Sequence, residues 1–306
     1  MFDISLEGIS IGPLEFRFYS LLILSGIGVG VLIAQREAKR YGEDPSHVVN
    51  IAVIGALCAI VGARLYHVFD QDQWPYYRQH PLDIIKVWNG GIGIFGALVG
   101  AIVGLLIYIW WVNRSAARKE GRRARKLNAL RWLDIGAPAF LVGQAVGRWG
   151  NFFNQELFGK PTNLPWGIPI DVEHRPLEYL DATRFHPLFL YESILSFIGV
   201  AVLLYLARRF YKRLFIGDVL LMYFMWYGAE RFLLEFMRID NWKFGAVPMA
   251  QIVGGLLIIG AIAVLVLRHR YGLGHRNEQH EEEDDETPSV SRTAERRRRR
   301  RTGLDT

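Results

Sequence analysis

The chain is 306 residues long, 51% hydrophobic and 13% aromatic, with 36 Lys/Arg against 30 Asp/Glu for a formal net charge of +6. Its charge gathers in blocks between long uncharged apolar runs, which excludes an ordinary soluble domain and predicts a helical protein that crosses a membrane several times. A single cysteine, Cys58 inside one such run, excludes a disulfide framework and a thiolate metal site.

In chain order, Met1 to Phe16 has no basic residue and holds Asp3 and Glu7, so it does not read as a cleavable signal peptide. Seven spans are predicted, at about 18–36, 49–69, 91–113, 132–150, 187–207, 215–235 and 247–268. The fourth carries Asp134, Pro138 and several glycines, which fits a span lining protein or a water-filled cavity. The fifth and sixth bear charges near their ends and should face the interior of the bundle. Between the fourth and fifth, residues 151–186 form a loop rich in turn residues (Gly159, Pro161, Pro165, Gly167, Pro169, Pro176). With Phe158, Trp166 and Tyr179 suited to the lipid–water interface, this loop predicts a small extracytoplasmic head. No loop pattern repeats along the chain.

Basic residues set the orientation. Arg36, Lys39 and Arg40, the eight Lys/Arg from Arg114 to Arg131, and Arg208, Arg209, Lys212 and Arg213 fall on one side. The opposite side is longer and poorer in them, so the rich side is cytoplasmic, the N-terminus outside and the C-terminus inside. The predicted architecture is therefore all-α and polytopic, with a membrane-embedded part over 1–270 and a charged tail over 271–306. That tail has an acidic block, Glu281 to Glu286, then six arginines, Arg296 to Arg301, and too few apolar residues to fold. Two readings of it stay open: a solvated tail, or a basic end resting on anionic membrane lipid at the cytoplasmic face.

Ionisable residues near a bilayer interior are expensive and mark function by default. Here they are Arg64, Asp134, Arg148, Glu192, Glu230, Arg231 and Glu235, most of them toward the outer ends of their spans. A polar site at or just below the outer leaflet is expected. Arg231, Glu235 and Arg238 are spaced four and three apart, which stacks them on one helical face as either an ion-pair ladder or an anion cradle. Guanidinium suits the cradle, because its planar fork stays charged and binds phosphate bidentately. The densest motif is GRWGNFFNQELFG over residues 147–159, where Arg148, Asn151, Asn154 and Glu156 stand among three glycines. Glycine permits close backbone approach to a ligand, and Asn and Arg donate to phosphate and hydroxyl oxygens.

This motif resembles the signature of prolipoprotein diacylglyceryl transferases, and the resemblance covers nearly all of the membrane-embedded part. It extends to Phe16-Arg-Phe-Tyr19, Gly62-Ala-Arg64, Gly90-Gly91 through Gly100, Asp134 with Ala137-Pro138, His186-Pro-Leu-Phe-Leu-Tyr-Glu192, and Gly228 through Arg231-Phe-Leu-Leu-Glu235. The resemblance implies a bacterial inner-membrane enzyme that moves the sn-1,2-diacylglyceryl group of phosphatidylglycerol to the lipobox cysteine in a prolipoprotein signal peptide, releasing glycerol phosphate. It implies that Arg148 and Arg231 bind phosphatidylglycerol, and that Tyr19, Asn151, Glu156, Gly159 and Glu235 are functionally sensitive. Asn154 joins the lipid-binding set, with Arg64, Asp134, His186, Tyr191, Glu192 and Arg238 as supports, Asp134 and Glu192 either for Arg148 or for helix packing. One departure stands out: a histidine common in the family's third-span glycine motif is Phe95 here. Phenylalanine accepts no proton, so thiol activation is expected from the positive field of the arginines, with Glu156, Glu235, Tyr19 or His186 as proton acceptors. No cofactor, metal or nucleic acid is expected. A transporter and another phospholipid-headgroup transferase remain as alternatives.

Overall fold

The computed structural model describes residues 2–4, 8–11, 14–70, 72–120, 126–239 and 241–275; the charged tail beyond 275 and residues 121–125 of the longest basic turn lie outside them. Strands β1 (Phe2–Ile4), β2 (Gly8–Ile11) and β3 (Leu14–Arg17) form an antiparallel sheet that leads directly into α1 (Phe18–Arg40). Then come α2 (Ser46–Val68), the short α3 (Trp74–Gln79), α4 (Ile94–Glu120), α5 (Ala129–Phe153), α6 (Leu188–Arg209) and α7 (Asp218–Leu234). A two-stranded hairpin, β4 (Lys243–Phe244) with β5 (Val247–Pro248), connects to α8 (Met249–Tyr271).

Every predicted span is thus a long helix, and the described residues are mostly helical, as expected of an all-α polytopic protein. A small N-terminal sheet and a hairpin in the α7–α8 connection are added to the helices. Five helices, α1, α2, α4, α6 and α8, are long and apolar enough to cross a membrane on length and composition alone. α7 has only 17 residues and α5 includes Arg131, Asp134 and Arg148. The apolar surface is turned outward: Leu24, Leu57, Leu98, Leu256 and Ile259 are each at least 60% exposed. A water-soluble surface does not carry such a continuous apolar coat, whereas lipid solvates it.

Without a hydrophobic drive between helices in lipid, small residues decide which pairs close up. α2 and α4 meet along a glycine stripe. A Cβ on Gly62 would stand 2.3 Å from the Gly96 carbonyl oxygen, and one on Gly100 2.2 Å from that of Cys58. The same logic joins α7 to α8 at Gly228 and Gly254. Apolar packing around Leu141, Val142 and Leu203 holds α5 against α6 and α7.

Buried carboxylates tie the helices together at the end that carries the basic turns. Glu37 of α1, 2% exposed, receives Arg40 at 2.9 Å and Arg208 of α6 at 2.6 Å. Asp134 accepts the backbone N–H of Gly217 at 2.5 Å and of Leu220 at 2.9 Å, so it caps the start of α7. Asp218 receives Arg268 at 2.9 Å and His269 at 2.7 Å, pinning the end of α8. Of the two roles open to Asp134, support for Arg148 or for helix packing, these bonds serve the packing. Asp134 and Arg148 lie on one helix fourteen residues apart, about 21 Å along the axis.

Arg64 also belongs to the scaffold. Its guanidinium, on a residue 5% exposed, donates to the carbonyls of Asp83 (2.5 Å), Ile84 (2.8 Å), Gly90 (2.7 Å) and Gly91 (3.0 Å), clamping the α3–α4 connection over α2. In that connection the Lys86 ammonium and the Tyr76 hydroxyl hold the Asp83 carboxyl below the usual carboxylate range.

Candidate active site

At the opposite end of the bundle, three helices bring their polar residues to one place. Arg148 sits near the C-terminal end of α5, Glu192 in the first turns of α6, and Arg231 in the last turn of α7. Glu192 is 1% exposed, and one of its oxygens, Oε1, accepts from Arg148 Nη2 and from Gln144 Nε2 at 3.4 Å, with Arg231 Nη1 at 3.9 Å. Guanidinium groups from two separate helices thus share one carboxylate oxygen, and Arg231 also faces Glu235 at 3.8 Å.

The two arginines are unequally engaged. Arg148 donates to Glu192 and to Asn151 Oδ1 at 3.3 Å, while its Nε–H is buried without an acceptor among the described residues. Arg231 has ion-pair neighbours only at 3.8 and 3.9 Å, beyond hydrogen-bond distance, and a side chain 20% exposed. A guanidinium in this setting keeps donors in hand for an anion.

Beyond Arg148 the motif over 147–159 leaves the helix and shapes a cavity of about 330 Å³, lined by Arg148, Asn151, Glu156, Phe158, Arg238 and Ile239 among others. Glu156 accepts from Asn151 Nδ2 at 3.2 Å and Asn154 Nδ2 at 3.4 Å, so Asn151, which accepts from Arg148, links the arginine to this carboxylate. The residues on either side of it are strained: Gln155 has φ 51° and Leu157 φ 55°. Non-glycine residues rarely adopt this left-handed region, and strain of this kind gathers at functional sites. Gln155 is held there by Asp171, through the backbone N–H at 2.7 Å and the carboxylate at 2.5 Å, and the Leu157 carbonyl by the Phe189 N–H at 3.1 Å.

Two glycines are required by close approach. A Cβ on Gly150 would stand 2.6 Å from the Tyr19 ring, and one on Gly159 2.7 Å from the Met237 carbonyl oxygen. Tyr19 therefore packs onto the helix that carries Arg148. Gly159 donates its N–H to the His186 carbonyl at 2.8 Å and bridges to Arg238. The His186 ring lies 3.2 Å from the Tyr191 hydroxyl, which receives Trp166 Nε1–H at 2.7 Å. His186 and Tyr191 thus brace the loop over residues 159–166.

The structure brings together Arg148, Asn151, Asn154, Glu156, Glu192, Arg231 and Glu235, with Tyr19 and Gly159 packed alongside. Arg64 and Asp134 stand apart, as described above. Arg238 needs a correction. It does not share a helical face with Arg231 and Glu235, because α7 ends at Leu234, tightens to a 3-10 turn over Glu235–Met237, and is extended at Arg238. Pairing with Gly159 draws Arg238 to the cavity wall, whereas Arg231 is not among the lining residues and reaches the site through Glu192. Phe95 lies elsewhere, 65% exposed and packed at 6.0 Å on the Tyr66 ring. Gln144, Ser193 and Ser196, which also serve this region, carry no motif signal in the sequence.

Comparison with known proteins identifies the family. A family model described as prolipoprotein diacylglyceryl transferase matches residues 7–267. Three proteins named phosphatidylglycerol--prolipoprotein diacylglyceryl transferase are similar over most of their length. That of Chloroflexus aggregans is 37% identical over 84% of this chain and 87% of its own. That of Synechococcus elongatus is 36% identical over 87% of each, and that of Streptococcus uberis 37% identical over 86% of this chain and 94% of its own. With a match that spans both arginines, the 147–159 motif and nearly every helix, the chain belongs to the prolipoprotein diacylglyceryl transferase family.

Proposed function

We propose that the chain transfers the diacylglyceryl group of phosphatidylglycerol to the lipobox cysteine of bacterial prolipoproteins, the first step of lipoprotein maturation, at the outer side of the inner membrane. In this reading all seven long helices cross the bilayer, with the N-terminus outside and the C-terminus inside. The observation that carries it is the meeting of Arg148 and Arg231 on one buried carboxylate with guanidinium donors unspent, beside a polar cavity.

The reaction displaces a phosphate at a glyceryl carbon. The cysteine sulfur forms a C–S bond, the C–O bond to phosphate breaks, and its electron pair leaves on the phosphate oxygen as glycerol phosphate. Negative charge grows on that phosphate in the transition state, where preorganised donors are worth about 3–4 kcal/mol each. Arg148, Arg238 and Asn151 line the cavity that would receive it. Arg231, loosely held at 3.8 and 3.9 Å, can exchange its carboxylate neighbours for phosphate. The incoming thiol has a pKa near about 8.5, so only a small fraction is thiolate at neutral pH. The positive field raises that fraction, and Glu156 is the carboxylate at the cavity wall able to take the proton. Phe95 supplies no base.

Purified protein incubated with phosphatidylglycerol and a lipobox peptide should add one diacylglyceryl mass to the peptide and release an equal amount of glycerol phosphate. Solute flux across liposomes without any lipid turnover would overturn this reading in favour of a transporter.

A further inference from the structure

Beneath the arginine pair lies a third carboxyl that the proposed reaction does not use. Glu230 of α7 is 3% exposed, and its Oε1 accepts the hydroxyl of Ser196 at 2.8 Å. Ser196 follows Glu192 by four residues on α6, so the Ser196–Glu230 contact sits on the same face, one turn deeper in the bundle. The other oxygen, Oε2, is buried and accepts no hydrogen bond among the described residues. An ionised oxygen in that position gives up its water without gaining a hydrogen bond, whereas a neutral acid forfeits only one hydrogen bond.

Charge balance points the same way. Arg148 and Arg231 supply two positive charges, and Glu192 and Glu235 already answer them. Glu230 lies within electrostatic reach of Arg148, Arg231 and Glu192. On α7 the tyrosines Tyr223 and Tyr227 precede it, and α8, packed against α7 at Gly228 and Gly254, has no ionisable side chain from Met249 to Leu267. With Glu230 ionised the cluster is net negative and repels a phosphodiester. With Glu230 neutral it is balanced, and the loosely held Arg231 is available.

We propose that Glu230 is a positioning residue whose proton keeps the Arg148–Arg231 pair open to the lipid phosphate, and whose ionisation closes it. The inference rests on the proposed function and adds a pH control of lipid binding to it. The phosphodiester does not titrate near neutrality, and the thiol's own ionisation acts on kcat, so the signal is read in KM for phosphatidylglycerol.

The test uses the full-length enzyme in mixed micelles with saturating lipobox peptide, varying the mole fraction of phosphatidylglycerol at each pH. In the unsubstituted enzyme KM is expected to be low and flat at acid pH, then to rise about tenfold per pH unit once Glu230 ionises. Glu230→Gln, locked neutral, should stay flat across the same window. Ser196→Ala removes a hydrogen bond that favours the charged form, so its rise should move to higher pH. A flat profile in the unsubstituted enzyme, a Glu230→Gln profile that still rises, or an unmoved Ser196→Ala profile each overturns the inference. Arg148→Ala separates this failure from that of the underlying reading: raised KM there, with the Glu230 curves unchanged, sinks only the role of Glu230. Unaltered KM in Arg148→Ala sinks the arginine reading itself.

Discussion

Removing Arg148 should damage the protein in two separable ways. The first is structural. Arg148→Ala strips the strongest partner from Glu192, which is 1% exposed and left with Gln144 at 3.4 Å and Arg231 at 3.9 Å. Breaking a buried ion pair from one side costs about 3–5 kcal/mol, because the remaining charge stays desolvated. The second is catalytic. Loss of one preorganised donor to the leaving phosphate costs a factor of about 10²–10³ in kcat. A second substitution separates them: Glu192→Gln in the same background removes the stranded charge, so most of the stability should return while transfer stays lost. The assay pairs thermal unfolding of the single and double variants in detergent with transfer to a lipobox peptide, normalised to folded protein. If the double variant recovers transfer to within about tenfold of the unsubstituted enzyme, Arg148 serves only to neutralise Glu192 and the phosphate role is wrong.

Two further outcomes follow from residues outside the cluster. Phe95→His should leave transfer nearly unchanged, since the ring is 65% exposed against Tyr66 and touches no member of the site. A gain approaching the 100-fold or so that a working general base contributes would refute this. Asp134→Ala should lower stability by about 2–5 kcal/mol, because the Gly217 and Leu220 N–H groups lose their acceptor at 2.5 and 2.9 Å. Rate per folded molecule should hold, and an unchanged unfolding temperature would show that water replaces the carboxylate.

The long helices were legible because a segment in lipid must satisfy its own backbone, so each apolar run has only one conformation open to it. The sheet over residues 2–17 was not, since its strands of three and four residues carry no span-length signal. Arg238 was misplaced for a definite reason. Spacing of four and three assumes that the α-helix continues, but it ends at Leu234, and the bridge to Gly159, nearly eighty residues earlier, sets the direction of the chain. The left-handed backbone at Gln155 and Leu157 was equally hidden, because neither residue type favours it and the contacts that impose it come from Asp171 and Phe189.

The intramembrane charges show where sequence reasoning stops. Arg64, Asp134, Arg148 and Arg231 are alike in sequence, each an ionisable residue in an apolar run, and burial cost alone marks all four as functional. Their hydrogen bonds divide them. Arg64 gives its N–H groups to four carbonyls and Asp134 takes two backbone N–H groups, so their charges are consumed in holding a loop and a helix start. Among the described residues, Arg148 keeps a buried Nε–H without an acceptor, and Arg231 makes only ion pairs longer than a hydrogen bond. A guanidinium that has spent its donors stabilises the fold, whereas one that has not keeps them for a ligand. In this chain the incomplete pair lies beside the polar cavity, which is why the proposed function gives both arginines an anionic headgroup as their partner.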